Sequence, residues 1–267
     1  GDGGPHPIDL DRIPTNDQRV LNLFRRGDTM GIFQFESGGM RKLLVDMQPD
    51  RLEDLIAANA LFRPGPMDLI PDFNSRKNKR QSVPKLHDVV DRLTAETYGI
   101  MVYQEQVMQV LHQLGGIPLR AAYTIIKAIS KKKTDVIESA RAEFVAGSVT
   151  RGVDAQDAAN LFDLILRFAG YGFNKSHSTG YAIVAYQTAY LKTFYPAFYM
   201  AAVLSLESQA RKLEEWALYL EDCKKCIWSD STKAKPHVGV EVRPPDMNLS
   251  ESDFAVVFAD GEPVDAL

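Results

Sequence analysis

The 267-residue sequence has only two cysteines and two tryptophans, and no stretch approaches the roughly 20 uncharged apolar residues that a membrane-spanning helix needs. Cys223 and Cys226 cannot make a disulfide framework, so the fold must rest on a packed core, and a reducing compartment suits it. The opening Gly1-Asp2-Gly3-Gly4-Pro5 has neither the basic nor the apolar region of a secretory leader, which makes a cytosolic, cytoplasmic location the default expectation. Internal repeats and low-complexity runs are missing as well. So is a positive charge balance: 31 Lys and Arg stand against 35 Asp and Glu, a net charge of −4. Taken as an average, that balance argues against a phosphate-rich partner. The remaining composition, 45% hydrophobic, 25% charged and 9% aromatic, is that of a folded domain and excludes disordered, collagen-like and fibrous chains.

The average charge hides an asymmetry. From Glu207 onward there are 13 acidic and 7 basic residues, which leaves 22 acidic and 24 basic residues in positions 1 to 206. Within this larger part the positive charge is clumped at Arg76-Lys77-Asn78-Lys79-Arg80 and from Lys127 to Lys131-Lys132-Lys133. Clumping decides whether a phosphate backbone feels a field, and these two clusters are candidate phosphate contacts.

Helical periodicity dominates the pattern. Pro14-Thr15-Asn16-Asp17 starts a helix with Val20, Leu23 and Phe24 on one face, and Ser37 caps another. Between them Gly31 to Glu36 alternates apolar and polar residues as a short strand would. Two short helices lead into Phe62-Arg63-Pro64-Gly65-Pro66, a rigid loop because two prolines lack amide donors. The stretch from Asp72 to Pro84 shows no apolar period and reads as an exposed excursion. Ile100, Tyr103, Val107, Val110, Leu111 and Leu114 line one face of a helix that Gly115-Gly116 ends. After Pro118, Ala122, Ile125, Ile126 and Ile129 face inward while Arg120, Lys127 and Lys131 share the opposite, cationic face. Asp154 and Asp157 open a helix packed through Leu161, Phe162, Ile165 and Phe168 as far as Gly170. Two helices flank Tyr195-Pro196 and one covers Leu213 to Cys226. The alternation of Val238, Val240 and Val242, and then Phe254 to Phe258 before the turn Ala259-Asp260-Gly261-Glu262, predicts strands at the C-terminal end.

The richest stretch chemically is Gly170-Tyr171-Gly172-Phe173-Asn174-Lys175-Ser176-His177-Ser178-Thr179-Gly180-Tyr181. Glycines around an aromatic permit close approach of a ligand, and Asn, Lys, Ser and His supply donors at a helix start, where anions are favoured. Two readings stay open: a phosphate or nucleotide site, or a helix capped by Ser176 or Ser178 beside a solvated Lys175. The lysine run likewise reads as a phosphate contact or as a solvated helix end. Cys223-Lys224-Lys225-Cys226 has half-site spacing without a second pair and reads as helix-face cysteines. His6, His87, His112 and His237 have no metal spacing, and Glu105 falls on a polar helix face. The stripe Tyr186, Tyr190, Phe194 and Phe198 reads as core. A hydrolytic Lys175, Ser176 and His177 arrangement is disfavoured because consecutive helical residues point in different directions.

Four motifs taken in order, Phe62 to Pro66, Tyr98-Gly99-Ile100-Met101-Val102-Tyr103-Gln104-Glu105-Gln106-Val107-Met108, Lys131-Lys132-Lys133 and the Gly170 to Tyr181 loop, resemble the alpha subunits of bacterial DNA polymerase III, the C-family replicative polymerases. The resemblance runs from about Gly31 to Asn248. It implies a mainly α fold, a helical fingers domain with short strands at the N-terminal and C-terminal ends. It also implies boundaries: 1–30 following the palm, 31–235 the helical fingers, and 236–267 the start of a truncated β-containing region before the helix-hairpin-helix part.

By the same resemblance the parent is a DNA-directed DNA polymerase whose metal chemistry uses Mg2+ held by palm aspartates outside this chain. The fragment alone is then expected to bind no metal and to be inactive. Its partners would be template-primer DNA and dNTPs, with the sliding clamp and other replisome subunits reached through other regions of the parent, and no membrane. Tyr171 matches a tyrosine that packs on the incoming base, and His177 a residue that stands against the sugar. Asn174, Lys175 and Ser176 match the loop beside the nascent pair. Arg63, Lys131, Lys132, Lys133, Arg76 and Lys77 are the expected DNA or phosphate contacts, and Lys127 a triphosphate contact. One departure stands out: typical members carry two adjacent arginines where this sequence has Ile126-Lys127. An apolar isoleucine cannot bind phosphate, and a lysine offers a point charge in place of a bidentate fork. The rival reading is therefore a noncatalytic helical DNA-binding or replisome assembly domain of a divergent paralogue.

Overall fold

The computed structural model describes residues 8–248, 250, 252–259 and 262–263. His6 and the Asp260-Gly261 part of the expected turn lie outside the described residues. The structure is mainly helical. In chain order the α-helices are α1 (Gln18–Arg26), α2 (Gly38–Met47), α3 (Leu52–Leu61), α4 (Ile70–Lys77), α5 (Asp88–Leu93) and α6 (Gln104–Gln113). They continue as α7 (Leu119–Ser130), α8 (Thr134–Val149), α9 (Ala155–Ala169), α10 (Lys175–Phe194), α11 (Pro196–Ala210) and α12 (Leu213–Cys223). Contacts divide the chain into two compact units, the described residues of 53–180 in one and those of 1–52 and 181–267 in the other.

Within the 53–180 unit, α5 to α9 enclose one core. Val107, Val110, Leu111 and Leu114 meet Ala122, Ile125, Ile126 and Ile129, with Phe144 and Phe162 fully buried at a ring separation of 5.6 Å. Periodicity in the sequence reflects this core directly, because each of these positions sits on one face of its helix. Asp154 caps α9 by accepting the amides of Gln156 and Asp157. Two glycines allow α8 to lie against the α6–α7 connection, since a Cβ on Gly147 would run into the Gly115 carbonyl oxygen.

In the other unit, Asp17 caps α1 and Ser37 caps α2. Met200, Leu204, Tyr219 and Cys223 form the core beneath α11 and α12. Lys192, only 3% exposed, places its ammonium 2.6 Å from Asp222 Oδ2 and donates to the carbonyls of Asp28 (3.0 Å) and Met30 (2.8 Å). All three ammonium protons are thereby engaged, the condition under which a buried charge is tolerated. Tyr186 is buried and its hydroxyl accepts the Asp17 amide, Tyr190 and Phe194 are half-buried, and Phe198 is exposed, so the aromatic stripe is core only in part.

Four expectations from sequence are corrected. Residues 31–36 form no strand: Ile32 and Phe35 donate to the carbonyls of Thr29 and Ile32 in successive tight turns, and their i, i+3 spacing buries both. The excursion from Asp72 to Pro84 is helical as far as Lys77, held by one buried aromatic, Phe73, edge-on to Tyr98 at 5.2 Å. The helix expected from Ile100 starts only at Gln104, because residues 100–103 run extended and Tyr103 pairs with Phe173. The C-terminal strands reduce to a two-residue antiparallel pairing of Phe258–Ala259 with Glu262–Pro263 and an isolated bridge between Ile227 and Val238.

Replacing Gly147 by alanine is predicted to cost about 1–3 kcal/mol, the usual penalty for overfilling a packed contact. The melting temperature should fall by roughly 2–4 °C for each kcal/mol at this chain size. Gly38→Ala, with nothing within 4 Å of the added Cβ, should leave it unchanged or slightly raised. Differential scanning calorimetry of the two variants checks both.

Candidate functional site

The site is built on a parallel bridge between Tyr103 and Phe173. Phe173 donates its amide to the Val102 carbonyl (3.2 Å), and Gln104 donates to the Phe173 carbonyl (3.0 Å). Gly172 suits the close approach, since a Cβ there would lie 3.3 Å from Gln104 Cα. The extended segment is fixed from its other side by the buried Gln106. Its Oε1 accepts the amides of Val102 (2.8 Å) and Tyr103 (2.9 Å), and its Nε2 donates to Thr97 Oγ1 (2.8 Å) and the Leu93 carbonyl (3.2 Å). With both ends of the amide satisfied, Gln106 specifies one register for the segment that enters α6.

Arg63 and Gly65 hold Tyr171. The Arg63 guanidinium donates to the carbonyls of Ala60 (2.9 Å) and Tyr171 (2.8 Å) and lies over the Phe173 ring at 4.1 Å. Burial pulls its pKa below the ordinary arginine value. Gly65 has φ +102°, and a Cβ there would overlap the Cδ1–Cε1 edge of Tyr171. The Tyr171 ring remains 50% exposed, so its edge is seated while ring surface stays open to solvent. Arg63, expected as a phosphate contact, here holds two backbone carbonyls and covers one ring of its own chain.

The head of α10 is capped by Asn174 rather than by either serine, its Oδ1 accepting the His177 amide at 2.8 Å. Glu105, from the first turn of α6, accepts Asn174 Nδ2 through Oε1 (3.0 Å) and the Lys175 amide through Oε2 (3.1 Å). A carboxylate thus occupies the anion-favouring end of the helix. Lys175 Nζ pairs with Glu96 Oε2 at 2.7 Å. Ser176 is exposed, and Ser178 is buried and donates to the Ile56 carbonyl at 2.6 Å. The exposed His177 stands edge-on to Phe173 at 5.5 Å. Tyr171, Asn174, Lys175, Ser176 and His177 are therefore gathered at one helix start.

A second surface lies on α7. Arg120, Tyr123, Lys127 and Lys131, at i, i+3, i+7 and i+11, are all exposed, and Lys132 and Lys133 continue the charge past the helix end. Lys127 Nζ sits 4.5 Å from the centre of the Tyr123 ring, and among the described residues no carboxylate pairs with Arg120, Lys127, Lys131, Lys132 or Lys133. Ile126 is 4% exposed and faces the core, beyond reach of any phosphate. In the other basic cluster Arg76 and Lys77 turn inward, while Lys79 and Arg80 are exposed. Lys77 is 3% exposed and paired with Asp54 Oδ2 at 3.1 Å, and Arg76 donates to the Tyr98 carbonyl at 3.3 Å. Helix α4 carries these side chains on its packed face, so their charge balances an interior carboxylate.

Residues 3–152 match the family model of the bacterial DNA polymerase III alpha subunit finger domain, more than half of the chain. The chain belongs to this family. It is 42% identical over 255 residues to a DNA polymerase III subunit alpha of Helicobacter pylori, 41% over 259 residues to one of Mycobacterium leprae, and 39% over 251 residues to one of Halalkalibacterium halodurans. These alignments cover 94%, 95% and 94% of the chain, and the chain spans about a fifth of the length of each relative, 20%, 21% and 21%. They extend past residue 152 and so take in the Tyr171 loop that the family model does not reach.

Among the described residues no group of three or more His, Cys, Asp or Glu side chains is arranged to hold a metal ion. Cys223 and Cys226 are both buried, and burial pushes each thiol up to about 12, so neither is a ready thiolate ligand. His87 caps α5 through the Val89 amide, and His112 Nδ1 lies 2.9 Å from the Ile117 carbonyl. Among the described residues, no helix of the finger domain is long and apolar enough to cross a membrane. Sequence reasoning missed the roles of Glu105 and Glu96, which arise from partners 70 and 79 positions away that no local pattern announces, and of Gln106, which joins the nearby amides of Val102 and Tyr103 to Thr97.

Gly65→Ala is predicted to cost about 1–3 kcal/mol from backbone strain and displacement of Tyr171. In a Tyr171→Ala background the same change should cost less, because only the backbone strain remains. Urea unfolding of the two singles and the double checks this, and equal costs in both backgrounds would show that the Gly65–Tyr171 contact contributes nothing.

Proposed function

We propose that this finger domain binds the incoming deoxynucleoside triphosphate and the template-primer junction for a bacterial replicative DNA polymerase, a cytoplasmic DNA-directed nucleotidyltransferase. The observation that carries the reading is the seat of Tyr171: a half-exposed ring with its carbonyl held by Arg63, beside His177 and Asn174 at the start of α10. An aromatic held in this way offers a base a stacking surface without first having to be ordered. His177 then stands against the sugar, with Ser176 and the Asn174–Lys175 turn beside the nascent pair. Helix α7 follows α6 after residues 114–118 and packs against it. On this reading Lys127 and Lys131 to Lys133, exposed along α7 and past its end, would meet the triphosphate and the DNA backbone. Catalytic Mg2+ would be held by palm aspartates of the parent, so this chain contributes positioning and electrostatic stabilisation and is inactive alone. The sliding clamp and other replisome subunits would engage other parts of the parent, and the domain boundaries at 30 and 235 belong to the same proposal.

The rival, a noncatalytic DNA-binding or assembly module, draws on Ile126 being core and on Lys175 being paired with Glu96. A fluorescence titration on primed template in the full-length polymerase separates the two: the polymerase reading requires preference for the complementary dNTP, and indifference to nucleotide supports the module.

Two outcomes are expected in that protein. Tyr171→Ala should weaken dNTP binding by about 1–3 kcal/mol, read as a raised KM in primer extension. Changing Lys131, Lys132 and Lys133 together to Gln should weaken DNA binding and flatten the slope of log K against log salt by up to roughly 0.9 per lost phosphate contact. An unaltered slope would remove the lysine run from the DNA interface.

A further inference from the structure

Resting on that nucleotide-binding reading, we propose that Glu105 is the positioning residue of the site, holding the Asn174–His177 turn so that His177 is set against the sugar. Three hydrogen bonds run in series. Glu105 Oε1 accepts Asn174 Nδ2 at 3.0 Å, Glu105 Oε2 accepts the Lys175 amide at 3.1 Å, and Asn174 Oδ1 accepts the His177 amide at 2.8 Å. The start of α6, where Glu105 sits, is itself held by the Phe173 pairing and by Gln106. The carboxylate therefore transfers a fixed reference from α6 to the first turn of α10. The Lys175 ammonium is directed to Glu96, and beside the two bonds to the α10 turn Glu105 Oε1 takes only a longer one, from Gln104 Nε2 at 3.4 Å.

The donor and acceptor logic makes the chain testable. A carboxylate can only accept, so Asn174 must turn its amide nitrogen toward Glu105 and its oxygen toward the His177 amide. With Glu105→Gln the new side chain must give its oxygen to the Lys175 amide and its nitrogen to Asn174. Asn174 then flips, and its own nitrogen faces the His177 amide, so one of the three bonds is lost. With Asn174→Asp two carboxylates face each other. In the double variant the introduced glutamine donates to the introduced aspartate and still accepts the Lys175 amide. The aspartate in turn still accepts the His177 amide, so all three bonds return.

The experiment uses the full-length polymerase that contains this chain and compares kcat/KM for a dNTP and the matching ribonucleotide in primer extension, well below each variant's melting temperature. Glu105→Gln and Asn174→Asp should each reduce the dNTP preference by about tenfold, the scale of one lost charge-assisted hydrogen bond. The double variant should recover most of it. Glu105→Asp, which keeps the charge and withdraws the oxygens by one methylene, should lose preference as Glu105→Gln does, and it replaces that variant if Glu105→Gln does not fold. Lower thermal stability with unchanged preference means a structural brace only and overturns the proposal, as does loss in both singles without recovery in the double. His177→Ala identifies a failure of the underlying reading. If it leaves the preference intact, the nucleotide assignment itself falls. If it abolishes the preference while the Glu105 variants do not, only the positioning role falls.

Discussion

Two backbone hydrogen bonds, Phe173 N to the Val102 carbonyl and Gln104 N to the Phe173 carbonyl, govern the candidate site. They join segments about 70 residues apart in sequence and bring the first turns of α6 and α10 together, as the 70-residue separation of the Glu105–Lys175 bond records. Glu105 reaches Asn174 only because of that pairing, and Arg63 lies over Phe173 only while Phe173 is held there. Polar backbone groups away from water must find partners, so this small pairing has no low-cost alternative and can anchor a loop rich in glycine.

Buried polar side chains perform the same service elsewhere. Gln106 fixes the extended entry to α6, Lys77 with Asp54 holds α4, and Lys192 with Asp222 gathers two carbonyls of the α1–α2 connection. Such groups add little net stability over apolar packing, but they tolerate only one arrangement because a missing partner is costly. They set a few buried cations apart from the exposed lysine run. Those at Arg76, Lys77 and Lys192 belong to the interior, and those from Lys127 to Lys133 face solvent with no carboxylate in reach among the described residues. In a chain whose net charge is −4, that partition decides where an anionic partner could be met.

Much of the helical scaffold was legible from sequence because its signals are local. The α7 face of Ala122, Ile125, Ile126 and Ile129, and the α9 start at Asp154, depend on a 3.6-residue period and on one side chain reaching its own backbone. The errors share a cause. Gly31 to Glu36 alternates as a strand would, yet no neighbouring strand is there among the described residues to accept the ladder, and the residues close into turns instead. The polar stretch around Lys77 lacks an apolar stripe, yet Asp54 supplies a partner that makes burial of a lysine tolerable. The site was half legible: Tyr171, Asn174 and His177 announced themselves as a cluster, while Glu105 read as a polar-face residue.

The sequence by itself determined the helical class, the inward faces of α6, α7 and α9 and the motifs that carry the family resemblance, all of which are properties of residues near one another along the chain. Tertiary structure decided which cations are buried, that Arg63 serves Tyr171, and that Glu105 joins two helices. These depend on partners brought close by folding, and a hydrogen bond or ion pair across many residues leaves no period in the sequence from which to read it.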